Sequence, residues 1–152
     1  MNKIIEVTAL INDNRPDVFG VTKSWTSSAI MDSEISISGY TSIRIDRRGN
    51  RSGGGFILYI NEELQFTPFN LPDNTYDSLE IIAVNIILDS GPFIVLLVYR
   101  SPACTLEVNN SLLNTISGLE NVNRMVFVML MHRTLTGNQA VSFLHRLSTT
   151  DY

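Results

Sequence analysis

Arg44, Arg47, Arg48 and Arg51 crowd four of the chain's eleven basic residues into eight positions, next to the run Gly53-Gly54-Gly55. Guanidinium forks match phosphate oxygens, and glycine lets a backbone approach closely, so phosphate contact is the chemistry this segment suits. It is not a nucleotide-binding P-loop. No Gly-Lys-Ser/Thr follows, and the flanking pattern is strand, turn, strand, without the helix N-terminus that such a loop uses. Two readings remain: a solvated hairpin tip, or weak backbone-phosphate contact without sequence readout. His132, His145 and Cys104 are the other residues with nucleophile, base or ligand chemistry. His132 ends an apolar run with no carboxylate nearby in sequence to orient it, and His145 stands beside Arg146. Cys104 reads as a buried small hydrophobe or an inert loop thiol. None of the three makes an activated nucleophile by sequence.

The chain must fold well enough to position such groups. Its 152 residues suit one domain, and 44% hydrophobic with 17% charged residues is too apolar for a disordered chain. A net charge of −4 gives no global attraction for nucleic acid, so any such binding has to come from the local arginine patch. One cysteine excludes an intramolecular disulfide framework and fits a reducing compartment. The first residues lack an apolar signal core, and the longest apolar runs are too short to span a bilayer. The expectation is an intracellular protein, cytoplasmic or nuclear, with no membrane partner.

Ile4, Val7, Leu10 and Ile11 predict an amphipathic helix over about 3–13, closed before Pro16. Val18-Phe-Gly-Val21 reads as a strand covered on both faces. Weak strands are expected at 34–37 and 42–46, and a glycine-rich turn then feeds a strand over 55–60, making a hairpin. A second, longer hairpin joins 79–88 to 92–99 through Asp89-Ser-Gly91. A helix over 106–119, a buried strand over 125–131 and a last helix over 137–147 complete the order. The class is α/β in the α+β sense, with a mostly antiparallel or mixed sheet flanked by helices.

Four segments taken together carry a resemblance: Asp17-Val-Phe-Gly-Val-Thr-Lys-Ser-Trp25, Arg51-Ser-Gly-Gly-Gly-Phe-Ile-Leu-Tyr-Ile60, Val98-Tyr-Arg-Ser-Pro102 and Arg124-Met-Val-Phe-Val-Met-Leu-Met-His-Arg133. In this order and at this spacing the chain resembles the endonuclease/exonuclease/phosphatase (DNase I-like) family, and within it the nuclease domain of non-LTR retrotransposon polyproteins. That resemblance implies a DNase I-like α/β sandwich and Mg²⁺-dependent cleavage of a DNA phosphodiester. It also implies that the last segment should end Gly-Asp-Phe-Asn and the first should read Thr-Glu-Thr/Ser-Trp. Here Leu130, Met131, His132 and Arg133 fill the one, and Lys23 replaces the glutamate of the other.

Mg²⁺ is a hard cation that takes carboxylate, water and phosphate oxygens. A lysine repels it and a thioether is too soft for it, so no metal cofactor is expected for this chain. Tyr99 is the surviving family position, where a phenol would contact the scissile phosphate; its alternative role is a core residue with its hydroxyl at the rim. The family's first strand would precede Met1 and its Ser-Asp-His segment would follow Tyr152. The expectation is therefore an incomplete, catalytically silent domain over 1–152. Its possible partners are DNA, bound weakly and without specificity through Arg44, Arg47, Arg48 and Arg51, or a second copy. The helices over 3–13 and 106–119 are expected to cover one face of a single main sheet, leaving the other face apolar and exposed.

Overall fold

A computed structural model describes residues 3–22, 24, 26–46, 55–71, 79–100, 104–120, 125–132 and 141–144, the backbone alone at 3, 79, 100, 120, 125–132 and 141–144. The order is α1 (Lys3–Asn14), β1 (Val18–Thr22), α2 (Asp32–Ile35), β2 (Tyr40–Ile45), β3 (Phe56–Asn61), β4 (Gln65–Pro68), β5 (Leu79–Leu88), β6 (Gly91–Arg100), α3 (Leu106–Glu120), β7 (Met125–His132) and β8 (Val141–Leu144). The class is α+β. Two compact units divide the chain, one holding everything up to Leu64 together with β8, the other running from Gln65 through β7.

The first unit is an antiparallel sheet of order β2-β3-β1-β8. Helix α1 turns Val7 and Ile11 inward onto Phe19, Val21, Ile57 and Tyr59, while Ile5, off that stripe, is 72% exposed. Burying each such side chain contributes roughly 1.5–3 kcal/mol. The helix ends where Arg15 takes a left-handed conformation (φ 44°) and donates its N–H to the Ile11 carbonyl at 2.7 Å. That bond satisfies a carbonyl the helix itself leaves open, and Pro16 prevents further winding.

The weak strand expected at 34–37 is instead the short helix α2 followed by a tight turn. Glu34 returns its carboxylate to the Met31 N–H at 3.0 Å, and Gly39 (φ 81°) turns the chain so that the Tyr40 N–H reaches the Ile37 carbonyl at 3.1 Å. Ile35 and Ile37 are nonetheless both buried. Local hydrogen bonding and not a ladder supplies the backbone partners. The last helix expected over 137–147 is corrected too. Within it, Val141–Leu144 is strand β8, antiparallel to β1 with Phe143 opposite Phe19. A strand as apolar as β1 needs a neighbour on each edge, and tertiary pairing outweighs the helical spacing of Val141, Leu144 and Leu147.

The second unit has the order β4-β5-β6-β7. Strand β4, not foreseen from the sequence, edges the long β5–β6 hairpin and ends in Pro68, which an edge tolerates. β6 crosses through α3 to a parallel β7, a βαβ unit. Leu112 of α3 lies on Ile94, Leu96 and Val98 of β6. The two helices therefore serve two different sheets. The expected single sheet with one bare apolar face is corrected: Val18, Phe56, Leu58 and Ile60 are buried on the face of the first sheet away from α1, and Ile82, Val84, Val95 and Leu97 on the face of the second away from α3. The large apolar side chains left exposed among the described residues are Ile5, Leu10, Met31, Ile87, Leu106 and Leu113.

Candidate functional site

Ligand sites in sheets with βαβ units lie at the C-terminal ends of the parallel strands. In the second unit that edge is the end of β6 and β7. Tyr99 is the penultimate residue of β6 and half-buried; it stands in register with Met131 of β7 on one side and with Glu80 of β5 on the other. Directly opposed residues of an antiparallel pair share a face, so the Glu80 carboxylate and the Tyr99 phenol are neighbours on the side away from α3. Sequence reasoning passed over Glu80. The signal was present, because a turn that pairs Leu88 with Gly91 fixes every other partner of the hairpin, Glu80 with Tyr99 among them. His132 ends β7 in register with Arg100. Arg133 and His145 lie outside the described residues.

In the first unit, β1 delivers its C-terminal end to a group of hydroxyls. The Ser24 N–H donates to the Gly55 carbonyl at 3.0 Å, and Ser24 Oγ and Thr26 Oγ1 are hydrogen-bonded at 2.9 Å. Thr22 and Thr26 are 3% and 1% exposed. Gly55 is left-handed (φ 73°), and a Cβ there would sit 2.9 Å from Ser24 Oγ and 3.2 Å from Thr26 Oγ1. The last glycine of the Gly53–Gly55 run is thus required by a close approach that clamps the ends of β1 and β3. The Ser24 hydroxyl is occupied in that clamp, and two residues named by the sequence reading flank it in the chain. Those residues, Lys23 and Trp25, lie outside the described residues.

Of the arginine patch, Arg44 is described; Arg47, Arg48 and Arg51 lie outside the described residues. Arg44 sits opposite Ile57 and so faces the α1 side of its sheet. It donates from Nη1 to the Ile30 carbonyl at 2.7 Å, and its Nε is 3.3 Å from both Asp32 Oδ1 and Asp46 Oδ1. The Asp46 contact is electrostatic, without hydrogen-bond alignment, as that buried oxygen has no hydrogen-bond partner. Asp32 is 83% exposed and its contribution is correspondingly screened. Arg44 thus ties α2 to β2, with its charge compensated inside the unit.

Two phenols have shifted titrations. Burial pushes Tyr59 up to about 12, its hydroxyl donating to the Ile35 carbonyl at 2.8 Å. Tyr40 is raised by burial and then by the nearby Asp17 carboxylate, against a smaller lowering by Arg15. Both hydroxyls hold backbone carbonyls, Tyr40 that of Pro16 at 2.8 Å, and their role is structural. Cys104 is half-buried with Sγ 3.5 Å from Asn109 Oδ1.

Among the described residues no three of His, Cys, Asp and Glu stand close enough together to hold a metal ion. Among the described residues, the carboxylate in register with Tyr99 is that of Glu80, and the position in register on β7 is a methionine, a donor set that does not fit Mg²⁺. No described helix is long and apolar enough to cross a membrane. No protein-family model matches the chain, and no characterised protein matches it.

Proposed function

We propose that this chain is a degenerate copy of an endonuclease/exonuclease/phosphatase-type nuclease domain of the non-LTR retrotransposon kind, intracellular, with the scaffold kept and phosphodiester cleavage lost. The observation that carries this reading is the register of Tyr99 with Met131 at the ends of adjacent parallel strands. The resemblance puts a phosphate-contacting phenol at the first position and a metal-side aspartate at the second, and a βαβ unit sets the two side by side. Methionine there and lysine at position 23 of the sequence remove the hard oxygen donors that magnesium needs. Without a metal to polarise the phosphate, a lone phenol supplies one hydrogen bond and no nucleophile. The test is nicking of supercoiled plasmid in Mg²⁺ or Mn²⁺. No nicking above the buffer control is expected, and metal-dependent nicking that disappears with Tyr99→Phe would overturn the proposal.

A second reading, non-catalytic nucleic-acid binding, rests on the arginines of the β2–β3 connection. Because Arg44 is engaged within its own unit, Arg47, Arg48 and Arg51 are the residues left to meet a phosphate backbone. Such binding is weak, indifferent to sequence and lost as salt rises. Replacing the three together by serine abolishes it; unchanged affinity in that variant would sink this second reading. Self-association is the remaining partner proposal.

A further inference from the structure

We infer that β7 pairs edge to edge with β7 of a second copy of this chain, about a two-fold axis at Val128, so that two four-stranded sheets become one continuous sheet. This gives a surface to the self-association proposed above. β7 closes the strand order of its sheet, and no described strand lies beyond it. Exposed edges invite pairing, and proteins blunt them with charge, proline, bulges or brevity. Three of the four sheet edges here are blunted. β2 carries Thr41 and Ser42 and sets Arg44 between Ile43 and Ile45; β4 is four residues long and ends in Pro68; β8 is four residues long. β7 has none of these devices: eight residues, an unbroken register with β6, and no charge or proline from Met125 to Met131. A wholly apolar strand is the pattern of a central position in a sheet.

A second copy fits this edge because the strand is nearly palindromic. Antiparallel pairing centred on Val128 sets Phe127 opposite Met129, Val126 opposite Leu130 and Met125 opposite Met131, apolar against apolar at each step. A chain of net charge −4 meets itself there without a like charge in the contact, and the contact is isologous and closed.

Cross-linking tests the register. In a Cys104→Ser background, Val128→Cys places two thiols directly opposite each other, with Cα atoms about 4.5–5.5 Å apart, within disulfide reach. The two copies of residue 131 would stand about 20 Å apart. Mild oxidation should therefore dimerise Val128→Cys, leave Met131→Cys monomeric, and cross-link Met131→Cys when it is mixed with Met125→Cys. The unmodified chain should sediment at twice its monomer mass, with β7 amides exchanging more slowly as concentration rises. A wild-type monomer at every concentration overturns the inference, as does equal cross-linking from positions 128 and 131. Neither readout involves nucleic acid or metal, so the pairing can fail while the silence of the nuclease chemistry stands, and the reverse.

Discussion

Tyr59→Phe separates the packing of the first unit from its hydrogen bonding, and it does so with a pH signature. The phenyl ring keeps its place 6.5 Å, centroid to centroid, from the ring of Phe19, so little apolar burial is lost. What disappears is one hydroxyl, fully buried and 2.8 Å from the carbonyl of Ile35, the last residue of α2. A helix-terminal carbonyl has no partner inside its own helix, so the variant strands an acceptor away from water. That costs about 1–2 kcal/mol at neutral pH. At high pH the same hydroxyl works against the fold. Its titration rises from 10.0 to about 12 on folding, because burial opposes the phenolate. The folded state therefore holds this proton after the unfolded chain has released it. Its contribution to stability is complete below pH 10.0 and is lost as pH rises through about 12. At about 1.4 kcal/mol per pH unit, that window removes about 3 kcal/mol from the wild type and nothing from the variant.

Urea unfolding followed by circular dichroism at several pH values reads this directly. The wild type should lead by about 1–2 kcal/mol at pH 8, lose its lead above pH 10 and fall behind near pH 12. Other tyrosines, Tyr40 included, titrate in both proteins and cancel. A stability gap that stays constant from pH 8 to pH 12 would refute the reasoning, as would a phenylalanine variant more stable at neutral pH.

Two further substitutions probe the strand ends. Gly39→Ala pays only for a left-handed alanine, about 1 kcal/mol, since nothing lies within 4 Å of the new Cβ; Gly55→Ala also drives that atom into the Ser24 and Thr26 hydroxyls and should cost about 2–3 kcal/mol. Equal losses in thermal unfolding would show that the clamp gives way freely. Arg44→Met keeps the aliphatic stem but drops the bond to the Ile30 carbonyl, costing about 1–2 kcal/mol, and should leave any plasmid binding unchanged. A selective loss of binding with unchanged stability would return Arg44 to the nucleic-acid patch.

The parts of the fold legible in the sequence were those whose hydrogen bonds and hydrophobic periods agree. Val7 and Ile11 keep helical spacing and a shared core, and the 79–99 hairpin has two long apolar runs joined by a short turn. The misread parts are those where two signals compete. Glu34 to Ile37 alternates like a strand, yet Glu34 caps a helical turn in its own neighbourhood and Gly39 folds the chain back at once. Val141 to Leu144 fits helical spacing, and only the need of β1 for a second neighbour, a fact of tertiary structure, makes it a strand. The Ser24–Thr26–Gly55 clamp was out of reach for the same reason. Ser24 and Thr26 are near each other in sequence, but Gly55 joins them only through the β1–β3 ladder, where Thr22 pairs with Phe56.

On the proposed reading, that distribution also explains which family residues went and which stayed. Stability in each unit resides in strand interiors: Phe19 and Tyr59 in one, Ile94, Leu96 and Val98 in the other, all fully buried. The expected ligand position on β7, Met131, stands near the strand end, where an exchange leaves the register intact. Carboxylates gathered for a metal repel one another whenever the metal is not bound, so catalytic clusters of this kind are held at a cost to the fold. Once cleavage is no longer required, replacing them by lysine or methionine relieves that repulsion. Tyr99 differs in kind. It is half-buried on a central strand of its sheet, so truncating it would remove packing whether or not a phosphate ever binds its hydroxyl. Tyr99 is therefore the site residue whose retention the fold alone accounts for, and its hydroxyl, not its ring, is the group by which any surviving phosphate contact has to be judged.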